Sequence, residues 1–287
     1  MSHHITTELT DTAFSYGPIT GTLSKMPAQL EKTIHYQLAL GEQGVSLNQF
    51  LGQPITLTYT GSIFCRACGR KTTKSFAQGH CFPCMRALAS CDMCIMKPET
   101  CHYFVGTCRE PVWGEQHCMV DHIVYLANTS GLKVGITRQT QVPTRWIDQG
   151  ASQALPLLRV ATRQLSGFME VALAELVADK TNWRTMLKGG TADIDLKAEA
   201  ALLLPAIQAK IDELQLNYGA DAVTVLDEPV VSLSYPVLEY PSKIASHNFD
   251  KNPVVSGTLL GIKGQYLILD TGVINLRKFS GYEVTLN

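Results

Sequence analysis

Nine cysteines lie between Cys65 and Cys118, and the 287-residue chain has no others. Six of them form three Cys-x-x-Cys pairs: Cys65/Cys68, Cys81/Cys84 and Cys91/Cys94. Two thiolates three residues apart on a tight turn can share one tetrahedral zinc at about 2.3 Å, and two such pairs close its shell. The first two pairs, 12 residues apart, come close to the four-cysteine zinc-ribbon spacing and predict a first site. Beyond them, Cys91 and Cys94 are followed by Cys101, His102, Cys108, His117, Cys118 and His122, more donors than one further ion can take. The preferred second set is Cys91, Cys94, Cys108 and Cys118, with Cys101 or His102 as substitutes and one thiol left as a small buried hydrophobe. All nine cysteines are therefore candidate ligands of one or two zinc ions. A closed four-thiolate shell has no position for water, so both ions read as structural rather than catalytic. The segment has few aliphatic residues, and the roughly 10–16 kcal/mol of apparent zinc affinity would there act as folding free energy.

The competing chemistry is a disulfide framework, which belongs to oxidising compartments and small secreted domains. The N-terminus, Met1-Ser2-His3-His4-Ile5-Thr6-Thr7-Glu8, lacks a basic start followed by an apolar run, so no signal peptide is expected. No run of about 18 apolar residues is present to cross a bilayer. A cytoplasmic chain without a membrane partner is the expectation, and there clustered cysteines mean metal or redox chemistry. Redox motifs usually carry one Cys-x-x-Cys pair, not three, which favours metal.

The formal net charge is −1, with 45% hydrophobic and 17% charged residues, a globular composition. That near-neutral total hides an asymmetry. From Gly61 to Lys188 there are 15 Lys and Arg against 9 Asp and Glu, whereas the flanks hold 9 against 16. A basic middle suggests an anionic partner, nucleic acid of either kind. Arg66, Arg70, Lys71, Lys74 and Arg86 surround the first four cysteines, with Phe64, Phe76 and Phe82 interleaved. The cations would neutralise phosphates and exposed rings could stack on unpaired bases. The plainer alternative makes the rings a small core and the cations its solvated face.

The elements that must position these groups follow from periodicity. Ile19–Leu23, Thr33–Leu40 and Pro54–Tyr59 read as strands, the last with clean alternation. Ile123–Ala127, a turn at Asn128-Thr129-Ser130-Gly131, and Leu132–Ile136 read as a β-hairpin. A short helix is expected from Pro143 to Ile147, a strand at Leu155–Val160, and a helix capped by Ser166 running to about Lys180. Thr191–Leu216 reads as a helix interrupted near Pro205. Strands return at Val223–Leu226, Val230–Leu238, Val254–Leu260, Tyr266–Asp270, Val273–Leu276 and Tyr282–Leu286. The two β-rich ends are expected to pair around the middle.

The central segment, residues 122–182, carries a second constellation. Ile123-Val124-Tyr125, then Lys133-Val134-Gly135-Ile136-Thr137, then Arg145, Glu170 and Asn182 resemble the GIY-YIG endonuclease domain, and more narrowly its branch reading Lys-Ile-Gly in the second strand. The whole chain, with Arg145-Trp146-Ile147-Asp148-Gln149-Gly150-Ala151 behind a cysteine-rich stretch, is similar to an uncharacterised bacterial cysteine-rich family, DUF2797. The nuclease resemblance implies that Tyr125 acts as general base or positions the attacking water. It implies that Arg145 stabilises charge on a phosphate. Glu170 would hold one Mg2+ or other divalent ion, and Asn182 would orient a helix end or an inner-shell water. A phenol titrating near 10 needs help to act as a base, and Lys133, across the hairpin, and Arg145 are the candidate helpers. The chain departs from the pattern in Ile-Val-Tyr for Gly-Ile-Tyr, in Lys133 for the second tyrosine, in a shorter hairpin, and in Gln149 where many members have a histidine. Each residue also has a plain reading: Tyr125 as core, Arg145 stacked on Trp146, Glu170 solvated, Asn182 at a helix end, Gly135 a close-approach position.

The expected fold class is α+β: a zinc-ribbon-like module joined to a small GIY-YIG-like α/β domain, flanked by β-rich segments. The expected divisions are residues 1–63, 64–120, 121–190, 191–218 and 219–287. The expected function is metal-dependent phosphodiester hydrolysis on nucleic acid. The alternatives are a non-catalytic zinc-dependent nucleic-acid binder and a zinc-scaffolded module for a protein partner.

Overall fold

The computed structural model describes residues 17–177, 182–190 and 192–287. The chain opens with strands β1 (Ile19–Thr22), β2 (Ala28–Gln29), β3 (His35–Leu40), β4 (Gln43–Ser46) and the long β5 (Pro54–Phe64). The cysteine-rich stretch holds β6 (Lys71–Thr72), helix α1 (Phe82–Ala87), three short 3-10 turns between Ala89 and Thr100, and α2 (Pro111–His117). Next come β7 (His122–Asn128), β8 (Leu132–Arg138), α3 (Thr144–Asp148), β9 (Gln153–Val160), α4 (Arg163–Ala174), α5 (Trp183–Lys188) and α6 (Leu196–Tyr218). The chain closes with β10 (Val223–Val225), β11 (Val231–Ser232), β12 (Val254–Lys263), β13 (Tyr266–Leu269), β14 (Gly272–Asn275) and β15 (Tyr282–Leu286).

The two ends share one sheet, ordered β1-β15-β5-β12-β13-β14, with β6 beside β5. Both flanks of β5 are C-terminal strands, β15 and β12, so its Ile55 and Leu57 are buried among residues about two hundred positions away. The central sheet runs β10-β9-β7-β8, with β11 also on β9, and β8 is an edge. Strand β7 is buried along its whole length because both its faces are covered. Ile123, Tyr125 and Ala127 face a core shared with Trp146, Ile147 and the large sheet. Val124 and Leu126 face α4 and α6. Among the described residues, no helix is long and apolar enough to cross a membrane.

Several boundaries differ from the sequence reading, each for a local reason. Helix α4 begins one turn before Ser166: Thr162 Oγ1 accepts from Leu165 N at 3.3 Å, while Ser166, buried inside the helix, donates to Arg163 O at 2.6 Å. It ends at Ala174; Lys180 lies outside the described residues, as do Thr191 and the N-terminal residues read for a signal peptide. Helix α6 starts at Leu196, capped by Asp195, and runs unbroken past Pro205. Proline removes one backbone bond, but Leu203, Ile207, Ile211 and Leu214 bury a continuous stripe on either side of it. The expected strand Val230–Leu238 is reduced to β11, because Pro229 and Pro236 deny it ladder donors at both ends. Helix α5, capped by Asn182, was not foreseen.

Candidate metal centre and active site

Cys65 follows directly on β5 and the chain turns through Cys68, with Gly69 N donating to Cys65 O at 2.8 Å. Cys81 stands at the N-cap of α1, and Cys84 follows within its first turn. These two turns bring all four sulfurs within 4.8 Å of one another, with Cys68 and Cys81 Sγ 3.8 Å apart. None of the nine cysteines is in a disulfide. Burial opposes ionisation of Cys65, yet the backbone N–H groups of Cys81, Cys68 and Ala67 outweigh it and bring the thiol down to about 6. Cys84 is pushed up to about 12, first by its contacts with the Cys81 and Cys68 side chains. The Cys65 thiolate forms readily and Cys84 resists following it, a crowding that a divalent cation relieves. The cluster is compatible with a structural zinc.

The remaining cysteines are placed differently from expectation. Cys94, Cys101, Cys108 and Cys118 line one small cavity, whereas Cys91 does not. Asp92 is the reason: its extended backbone separates two 3-10 turns, so Cys91 and Cys94 do not form the compact knuckle of the first two pairs. Of the preferred second set, the cavity brings together Cys94, Cys108 and Cys118, with Cys101 beside them, and leaves Cys91 off its lining. Asp92, Cys94 and His102 offer donor atoms within 4.8 Å of one another, but Asp92 is already held by Arg109 at 2.6 Å. Around the first cluster, the rings and cations pair off: Phe76 and Phe82 meet edge to face, Lys74 lies 5.2 Å from the Phe76 ring centre, and Phe82 is half exposed.

Tyr125 sits on the central strand, opposite Gly135 on β8. Its ring lies across that glycine: a Cβ there would stand 2.5 Å from Tyr125 Oη. The hydroxyl therefore reaches over the sheet edge and donates to Gln149 Oε1 at 2.9 Å. Helix α3 supplies both Arg145 and, at its C-cap, Gln149. Arg145 from α3 and Glu170 from α4 are both near enough to bear on the ionisation of Tyr125. Burial dominates, however, and with Glu170 and Asp148 it outweighs Arg145, pushing the phenol up to about 12. Arg145 acts in the expected direction, lowering this acid constant, but the burial of Tyr125, 0% exposed, outweighs it. At neutral pH it is a hydrogen-bond donor.

Two expected partners stand elsewhere. Lys133 pairs with Ala127, two positions along the ladder from the Tyr125–Gly135 pair, so it is on the same face of the hairpin but not directly across from Tyr125. Asn182 caps α5, accepting from Arg184 N and Thr185 N, and its own N–H donates to Ser130 Oγ at 2.9 Å. That places it at the hairpin turn, roughly 10 Å of strand from Tyr125. Three charged residues passed over in the sequence join the neighbourhood. Asp148 accepts from Lys25 at 2.6 Å and from Gln265 at 3.0 Å. Arg277 donates to Gln78 at 2.7 Å and lies 4.0 Å from Asp148. Arg163 donates to Ile95 O at 2.7 Å. Burial lowers the acid constants of both arginines, and the positive charge of Arg145 adds to it. The C-terminal position of Arg277, over a hundred residues from Arg145, left no local pattern to find it by.

The profile of the family described as "Protein of unknown function (DUF2797)" matches residues 52–284, from β5 to β15, and the chain belongs to that family. Comparison with curated proteins and comparison with solved structures each returned no match.

Proposed function

We propose that this DUF2797 chain acts on nucleic acid, with a zinc-pinned basic module holding the phosphate backbone beside a GIY-YIG-like centre built on Tyr125, Arg145 and Glu170. What supports the reading is that Arg145 on α3 and Glu170 on α4 both bear electrostatically on Tyr125 of β7, whose ring lies across a glycine that leaves room for it. In this reading the Arg145 guanidinium takes a phosphate oxygen through charge-assisted hydrogen bonds. A magnesium ion held by Glu170 would supply further charge neutralisation at the phosphate. Tyr125, neutral and donating to Gln149, fixes the α3 end and so orients Arg145, a positioning role rather than that of a base.

The second reading is a binder without turnover, and the complete burial of Tyr125 favours it. One pair of measurements separates the two. Fluorescence anisotropy with labelled single- and double-stranded DNA and RNA reports binding against salt, and gel analysis with magnesium reports cleavage. Hydrolysis is expected to require Glu170 and fall at least tenfold in Glu170→Gln, and Arg145→Ala is expected to reduce the salt slope by about one unit. Binding without cleavage under any divalent ion assigns the second reading. Affinity that does not depend on salt removes both.

A further inference from the structure

We propose that Cys94, Cys101, Cys108 and Cys118 form a second zinc site, independent of the first cluster, which pins the helix that carries Glu170. The four side chains line a cavity of about 20 Å3, space for one ion or one water. Gly114 on α2 keeps it open on one side: an added Cβ would sit 3.1 Å from the Tyr103 ring and 3.4 Å from Cys108 Sγ.

The energetic argument is stronger than the spatial one. Among the described residues, none from 64 to 122 belongs to any of the three apolar cores. Met93, Met96, Phe104, Val105 and Val112 are exposed, and no disulfide ties the segment. The 3-10 turns between Ala89 and Thr100, beyond the first cluster and without core or disulfide, do not hold one conformation by themselves. Four thiolates on one zinc would supply what the packing does not. The polar neighbours are already engaged: Asp92 with Arg109, and His102 Nδ1 with Thr107 Oγ1 at 2.8 Å. Cys91 stands off the cavity near Ser90 Oγ. Of the four thiols, only Cys94 belongs to a donor group within 4.8 Å, with Asp92 and His102, so a four-thiolate shell requires the other three to close across the cavity.

The site is fastened to α4 at successive positions. Arg163 N donates to Cys118 O at 2.8 Å, and Gln164 Nε2 to Cys101 O at 3.0 Å. Gly167 packs directly against Pro98 and the Glu99 backbone, where a Cβ would collide. Glu170 follows one turn later on the same helix.

The test uses the full chain produced with zinc, by metal analysis and by alkylation of the native protein followed by peptide mass mapping. Two zinc ions per chain are expected, with Cys91 the one thiol alkylated; Cys101→Ser is expected to lose one ion and Cys91→Ser none. A single zinc per chain overturns the proposal, as does protection of Cys91 with any of the four modified. Loss of the second zinc in Asp92→Asn but not in Cys101→Ser replaces the set with Asp92, Cys94 and His102. Iron with acid-labile sulfide in place of zinc also overturns it. If Cys101→Ser is insoluble, the protection pattern of the unaltered chain still decides.

Discussion

Replacing Gly135 with alanine tests the geometry on which the candidate active site depends. The new Cβ would lie 2.5 Å from both Cζ and Oη of Tyr125 and 2.9 Å from Cε2, closer than carbon atoms approach without displacement. Gly135 does not sit in left-handed backbone, so no conformational penalty confuses the measurement. The change by itself would stiffen the unfolded chain and stabilise by about 0.4–1 kcal/mol. The clash acts against that gain: overpacking a buried site costs about 1–3 kcal/mol, and swinging the ring aside breaks the bond to Gln149, worth about another 1 kcal/mol. A net loss of about 2 kcal/mol is expected, lowering Tm by about 3 °C for a chain of 287 residues. The assay is thermal and urea unfolding of Gly135→Ala in the native background and in a Tyr125→Ala background. With the ring removed there is nothing to strike, so the second alanine becomes neutral or mildly stabilising. Equal losses in both backgrounds would refute the crossing of the ring over Gly135, and with it the placement of the hydroxyl.

Other consequences are equally direct. His122 is buried, its Nδ1 donates to Val120 O at 2.7 Å, its Nε2 has no hydrogen-bond partner, and burial lowers its acid constant to about 4. A lowered histidine stabilises fully above its unfolded value near 6.5 and loses that contribution as pH falls toward 4. The acid slope of stability in that window is therefore expected to shrink in His122→Gln. Tyr125 has the opposite sign: its raised acid constant favours folding below pH 10, and the benefit is lost as pH climbs from 10 toward 12, so Tyr125→Phe should flatten the alkaline slope by up to one proton. Removing metal with a chelator is expected to abolish amide protection in residues 64–120 while the β5–β12 and β5–β15 ladders stay protected; hydrogen exchange read by mass spectrometry checks this, and unchanged protection in the cysteine-rich stretch would count against a structural metal.

Much of the local structure was legible because its causes are local. The β7–β8 hairpin follows from two apolar runs around the Asn128-Thr129-Ser130-Gly131 turn, and the two strands pair as expected, with Gly135 rather than Lys133 opposite Tyr125. The first two Cys-x-x-Cys pairs each close on their own turn, and spacing alone places their sulfurs together. The third pair obeys the same spacing, but the extended Asp92, held by Arg109 from 17 residues on, turns Cys94 toward the cavity that Cys101 and Cys118 line and leaves Cys91 outside it. The start of α4 was misplaced by one turn because Thr162 and Ser166 are both capping types, and only the position of β9 chooses between them.

Residue type and spacing thus determined which groups could hold metal, where strands and turns would form, and the order Tyr125, Gly135, Arg145, Glu170 along the chain. The tertiary structure decided their state. Closing β5 between β12 and β15 and covering both faces of β7 removes Tyr125 from water, and desolvation then outweighs the arginine beside it. Burial is a property of what the distant chain brings over a residue, so an acid constant governed by it, or a partner such as Arg277 delivered by it, has no signature in the neighbouring sequence.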